Sequence, residues 1–132
     1  MNCKILHITA HMGGGVGRVL RNFCEDSQAS GSFSHTILCL DSANPESQRW
    51  AKECGIVLNG DVIRDDALVS SSVGAADIVH WHWWNHPLNM YLIARRDLPA
   101  SRCVMWSHNN GFHPPHLLTR AALEYPDIFA LG

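Results

Sequence analysis

A chain of 132 residues with 46% apolar content can bury the core of one compact domain and is too apolar to be disordered. Its formal net charge of −2 lacks the basic excess of a general nucleic-acid or anionic-membrane binder. No run approaches the roughly 18 apolar residues that a membrane span needs.

The amino terminus, MNCKILHITAHM, has no apolar signal core and no small-residue cleavage pattern, so no signal peptide is expected. Short apolar runs then alternate with helical patterns, as βαβ units do. Cys3 to Thr9 is the predicted first strand, followed by the glycine-rich HMGGGVGRVL. From Val16 the apolar residues Val16, Val19, Leu20, Phe23 and Cys24 recur on one helical face, with Arg18, Arg21, Asn22, Glu25 and Asp26 opposite. Ser34 to Leu40 reads as the second strand, Pro45 to Cys54 as a helix opened by its proline, and Gly55 to Asn59 as a short third strand. The serine-rich DDALVSSSVGA is a weak helix. Asp77 to His82 is the fourth strand, Pro87 to Arg96 a helix, and Arg102 to His108 the fifth strand. Beyond the prolines at 114 and 115, Leu117, Leu118, Ala121, Ala122 and Tyr125 mark a last amphipathic helix before a sixth strand in DIFALG.

These elements predict an α/β fold, a doubly wound, Rossmann-like parallel sheet of order 3-2-1-4-5-6. Ligands of such sheets collect beyond the carboxyl ends of the strands, where the order reverses between the first and fourth. The two unusual segments, HMGGGVG and HWHWWNH, fall at that edge. The five cysteines, Cys3, Cys24, Cys39, Cys54 and Cys103, are odd in number, widely spaced and without a CxxC pair. They read as free thiols of a cytosolic core.

Gly13, Gly14, Gly15, Val16 and Gly17 lie between a strand and a helix start, where backbone amides and the helix dipole favour an anion. The alternative is that the glycines only ease a tight turn. The pattern is not G-x-x-x-x-G-K-[ST], and Arg18 stands where the third glycine of G-x-G-x-x-G belongs. Arg18 could neutralise phosphate or be solvated. His80 and His82 share one face of their strand, with Trp81 on the other. With His86 they could be drawn as a zinc trio, but neither the spacing nor a nearby cysteine supports a metal, and none is expected. Packing and ligand contact stay open for them. His108 closes the fifth strand beside Asn109 and Asn110, at the ligand edge, where a neutral imidazole suits hydroxyls or phosphate oxygens. Trp83 and Trp84 are placed in the loop after the fourth strand, as sugar-stacking faces or as core.

The segments KILHITAHMGGGVGRVLRNF, DIVHWHWWNHP and CVMWSHNN, in this order and spacing, resemble the amino-terminal half of retaining nucleotide-sugar glycosyltransferases of the GT-B fold, family 4 type. The resemblance runs through essentially the whole chain. It implies a glycine loop near the diphosphate and acceptor (Gly13 to Gly17), a histidine on the transferred sugar or phosphate (His108), and an H-x-H at the cleft (His80, His82). It also implies a donor, a nucleotide-diphosphate sugar, and a glycan or lipid-linked acceptor, with no further cofactor. Residues 1–132 would be a single, truncated Rossmann-like domain whose carboxyl-terminal donor-binding domain, with its E-x7-E motif, is missing from the sequence. Alone it is expected to be inactive. A cytoplasmic location is expected, with peripheral contact at the inner membrane face as a variant. The competing readings are a non-catalytic nucleotide- or glycan-binding module and an NAD-type oxidoreductase domain.

Overall fold

A computed structural model describes residues 1–95 and 97–132 of the chain. The strands are β1 (Cys3–Thr9), β2 (Phe33–Cys39), β3 (Val57–Asn59), β4 (Ile78–Trp83), β5 (Cys103–Ser107) and β6 (Ile128–Leu131). The helices are α1 (Gly14–Ala29), α2 (Pro45–Glu53), α3 (Asp66–Ala75), α4 (Pro87–Ile93) and α5 (Arg120–Glu124). The six strands form one sheet in the order β3-β2-β1-β4-β5-β6, and every neighbouring pair is parallel. This is the doubly wound, Rossmann-like sheet expected from the alternation of strand and helix patterns.

The sheet buries both faces, which is why its strands read as apolar runs. On one face Leu6, Ile8, Leu38, Val79, Trp81 and Met105 pack with Val69 and Val73 of α3, Leu92 of α4 and Ala122 of α5. On the other, Ile37 and Cys39 meet Leu20 and Cys24 of α1 and Ala51 of α2. All five cysteines are free thiols.

Local chemistry sets the helix starts. The Asn44 side chain accepts a 2.7 Å hydrogen bond from the Ser47 amide, and Pro45 opens α2 behind it. Asn44→Ala should therefore cost about 1 kcal/mol in a urea titration, with the slope of the transition unchanged.

Four expectations need correction. The first helix begins at Gly14 rather than Val16, so most of the predicted glycine loop is helix. Trp83 belongs to β4 and not to the following loop. The helix after the prolines shrinks to five residues, leaving Leu117 exposed, because Thr119 caps it only at its hydroxyl bond to the Ala122 amide. The fourth helix ends at Ile93, short of its predicted end, and Arg96 lies outside the described residues. Among the described residues no helix is long and apolar enough to cross a membrane.

Candidate functional site

The carboxyl ends of β1 and β4 lie side by side at the reversal of strand order. They bring the two unusual segments together: the His11 ring sits 5.1 Å from Trp84 and 5.7 Å from His86. His11 also accepts a 3.2 Å bond from the Gly13 amide at its Nδ1 atom, which fixes the turn into α1. Gly13 is the residue before the helix and Gly14 has φ +66°, a conformation that favours glycine. A side chain on Gly14 or Gly15 would meet nothing within 4 Å, and both glycines are exposed. The first turn of this 16-residue helix, whose leading amides have no partner within the helix, thus carries two exposed glycines that let a ligand approach.

Gly17 has a different task. A Cβ there would lie 1.8 Å from the Met12 carbonyl oxygen, so this buried glycine lets α1 rest on the preceding turn. Val16 is half-buried, and Arg18 points into solvent in the first turns of the helix.

His108 follows β5 directly, and its amide donates a 2.8 Å bond to the Trp83 carbonyl. It is half-exposed at the same edge. Asn109 beside it carries a buried Nδ2 atom with no partner, while its Oδ1 receives the Ser107 hydroxyl at 3.2 Å. Asn110 is exposed and uses its Oδ1 to accept from the Phe112 amide, closing a local turn.

Behind His108 the histidines form a continuous chain. His108 Nε2 lies 3.0 Å from His82 Nδ1, His82 Nε2 lies 3.1 Å from His7 Nδ1, and His7 Nε2 lies 2.9 Å from His35 Nδ1. The far atom, His35 Nε2, is buried with no partner. His7 and His82 are wholly buried and His80 is 8% exposed. Their alignment follows from strand parity. Parallel pairing sets His7 opposite His80, His82 lies two residues on along the same face, and the helix side chains Phe23 and Cys24 cover His7.

Burial keeps this chain uncharged. Desolvation holds the imidazoles of His7 and His82 well below their usual range, with neighbouring histidines adding in the same direction. Burial, then His108 and His35, pushes His80 down to about 4. His35 and His108 are lowered by burial as well. The buried Cys24 thiol is pushed up to about 12, chiefly by desolvation, and stays protonated.

The structure therefore divides the expected site residues. Gly13, Gly14, Gly15, Val16, Arg18, His108 and Asn110 stand at or near the ligand edge. His80 and His82, expected to line a cleft, are instead buried behind it, because even-numbered β4 residues face α1. Trp83 is 3% exposed and points to the opposite core face, its indole N–H donating to Asn85 Oδ1 at 2.7 Å. It does not offer a stacking surface; Trp84, half-exposed beside His11, does. His86 belongs to this edge group and also accepts from the Leu88 amide at the start of α4, away from the histidine chain. Sequence reasoning did not select His7, His35, Cys24 or Asn109. Strand parity was the available signal, since His7, His35, His80 and His82 all occupy one face of neighbouring strands. A hollow lined by Ile93, Leu98, Ser101, Cys103 and Asp127 opens at the opposite edge, away from these groups.

Comparison with protein families, curated proteins and solved structures finds no match to this chain.

Proposed function

We propose that this chain is the amino-terminal, acceptor-side domain of a retaining GT-B glycosyltransferase that moves a sugar from a nucleotide-diphosphate donor to a glycan or lipid-linked acceptor. The observation that carries the reading is convergence: the exposed glycines at the start of α1, the His11–Trp84–His86 group and His108 lie at one edge, at the reversal of strand order. Each part has a matching task. The α1 amides and the exposed Arg18 suit the charge that develops on a departing diphosphate. The half-exposed Trp84 face suits a sugar ring. His108, kept neutral by burial, suits a sugar hydroxyl or phosphate oxygen.

In this reading a second α/β domain holds most of the donor, and closure over the edge excludes water from the reacting groups. The donor is the small-molecule partner, and no nucleic acid is involved. The enzyme works in the cytoplasm, with peripheral contact at the inner membrane face when its acceptor is lipid-linked.

The test is turnover of a panel of nucleotide-diphosphate sugars by the enzyme that contains this domain and its donor-binding domain. His108→Ala should lower kcat by about 10²- to 10³-fold, the loss of one hydrogen-bond donor to the transferring group. Absence of both turnover and nucleotide-sugar binding in the unmutated enzyme would reject the reading.

A further inference from the structure

The histidine chain carries a second inference, independent of the transferase reading. His80 and His82 are two residues apart on β4, and His7 faces His80 across the β1–β4 pairing. An H-x-H on one strand with a third histidine on its neighbour puts three imidazoles on one sheet face. One ring nitrogen from each of His7, His80 and His82 lies within 4.8 Å of the others. We propose that His7, His80 and His82 bind a divalent transition ion of the zinc class, with His82 Nε2 and His7 Nδ1 as two of the ligand atoms.

Three observations carry this. His82 Nε2 and His7 Nδ1 are 3.1 Å apart, close to the roughly 3.3 Å between nitrogens bound tetrahedrally at about 2.0 Å from zinc. The other nitrogen of two of the three ligands is already held: His82 Nδ1 by His108 at 3.0 Å and His7 Nε2 by His35 at 2.9 Å. Metal-binding histidines characteristically engage their second nitrogen in this way; His82 Nε2 already offers a lone pair, and His7 Nδ1 offers one once its hydrogen moves to Nε2. Access exists too, because His80 lines an apolar hollow of about 330 Å³ with Phe23, Val104 and Trp106.

Binding balances without proton release. Three nitrogen–metal bonds, one from each histidine, replace the single N–H···N bond between His82 and His7. Each neutral imidazole keeps one hydrogen: on His82 Nδ1 toward His108, on His7 Nε2 toward His35 Nδ1, and on His35 at its buried, partnerless Nε2, a cost that the metal–nitrogen bonds offset. The histidines and cysteine at His7, Cys24 and His35 also lie within 4.8 Å of one another. That set is the poorer one. It would take His7 Nε2 and His35 Nδ1, breaking the 2.9 Å rung between them, and would bind Cys24 only after its buried free thiol gave up a proton.

The protein should be purified without a polyhistidine tag and its metal content measured. About one zinc per chain is expected, and the chelator-stripped protein should take up about one Co²⁺ with the intense visible bands of four-coordination. His80→Ala should reduce bound Co²⁺ at least tenfold, while His86→Ala and Cys24→Ser leave it unchanged. Should His80→Ala fail to fold, imidazole ¹⁵N spectra of the stripped wild-type protein titrated with Zn²⁺ decide the matter. Shifts at His7, His80 and His82 support the site. No bound metal, an unaltered Co²⁺ uptake in folded His80→Ala, loss of Co²⁺ in Cys24→Ser, or Zn²⁺ shifts confined to other histidines would overturn it.

Discussion

Gly17→Ala should be the most damaging single-methyl addition in the protein. The new Cβ would stand 1.8 Å from the Met12 carbonyl oxygen and 2.5 Å from its carbon. The obstruction is backbone, so no side chain can rotate away, and α1 must lift from the turn or shift along the sheet. Overpacking typically costs 1–3 kcal/mol; a clash with fixed backbone belongs at or beyond that upper end, about 3 kcal/mol. That is a large part of the total stability of an ordinary domain. Thermal unfolding should show Tm lowered by roughly 10 °C. Gly15→Ala is the matched control: its Cβ meets nothing within 4 Å, and helix propensity should make it neutral or stabilising by up to about 1 kcal/mol. Equal stability of the two variants would mean that α1 does not approach the turn this closely.

The second large effect is acid sensitivity. In the unfolded chain a histidine takes up its proton near pH 6.5. In the folded protein His7 and His82 lie well below that, and His80 at about 4, because burial penalises the charged ring. Above pH 6.5 both states are neutral at these positions and stability should be flat. As pH falls from 6.5 toward 4 the unfolded state gains protons that the folded state refuses, so stability drops. His80 alone accounts for about 3 kcal/mol over that window, and His7 and His82 add in the same direction. Urea midpoints at pH 7, 6, 5 and 4.5, taken with chelator present, should fall steadily below pH 6.5. A midpoint that stays constant down to pH 4.5 would show that these rings protonate freely in the fold.

Strand parity explains which parts of the molecule were legible from residues alone. The order of the sheet followed from alternating strand and helix signals, and the edge that gathers the glycines and His108 followed from the order. Within one strand the alternation of HWHW also told which side chains share a face. It did not tell where the strand stopped, because Trp83 continues the alternation that Trp81 begins, and burial against Leu92 and Ala122 decides its place. The partners of His82 were beyond reach for another reason. His7 is 75 residues away and joins it only through the β1–β4 pairing. A lone histidine inside CKILHIT or SHTILCL looks like an ordinary core substitution until the registers of neighbouring strands are known. The start of α1 was misjudged because glycine propensity argues against helix, whereas the close rest of Gly17 on the Met12 turn and the burial of Leu20 and Cys24 favour it.

The partnerless nitrogen of His35 gives the row of imidazoles a direction. Hydrogens pointing inward would strand an N–H on that buried atom; pointing outward, they leave only a lone pair there, and orphaned buried N–H groups are the rarer of the two. The outward sense passes a hydrogen from each ring to the next, ending with His82 Nδ1 donating to His108 Nε2. The same donation holds when a metal sits between His82 and His7. In both states His108 has its Nε2 lone pair occupied and its remaining hydrogen on Nδ1. The ring at the ligand edge is thus preset as a donor, suited to grip an oxygen and unsuited to remove a proton.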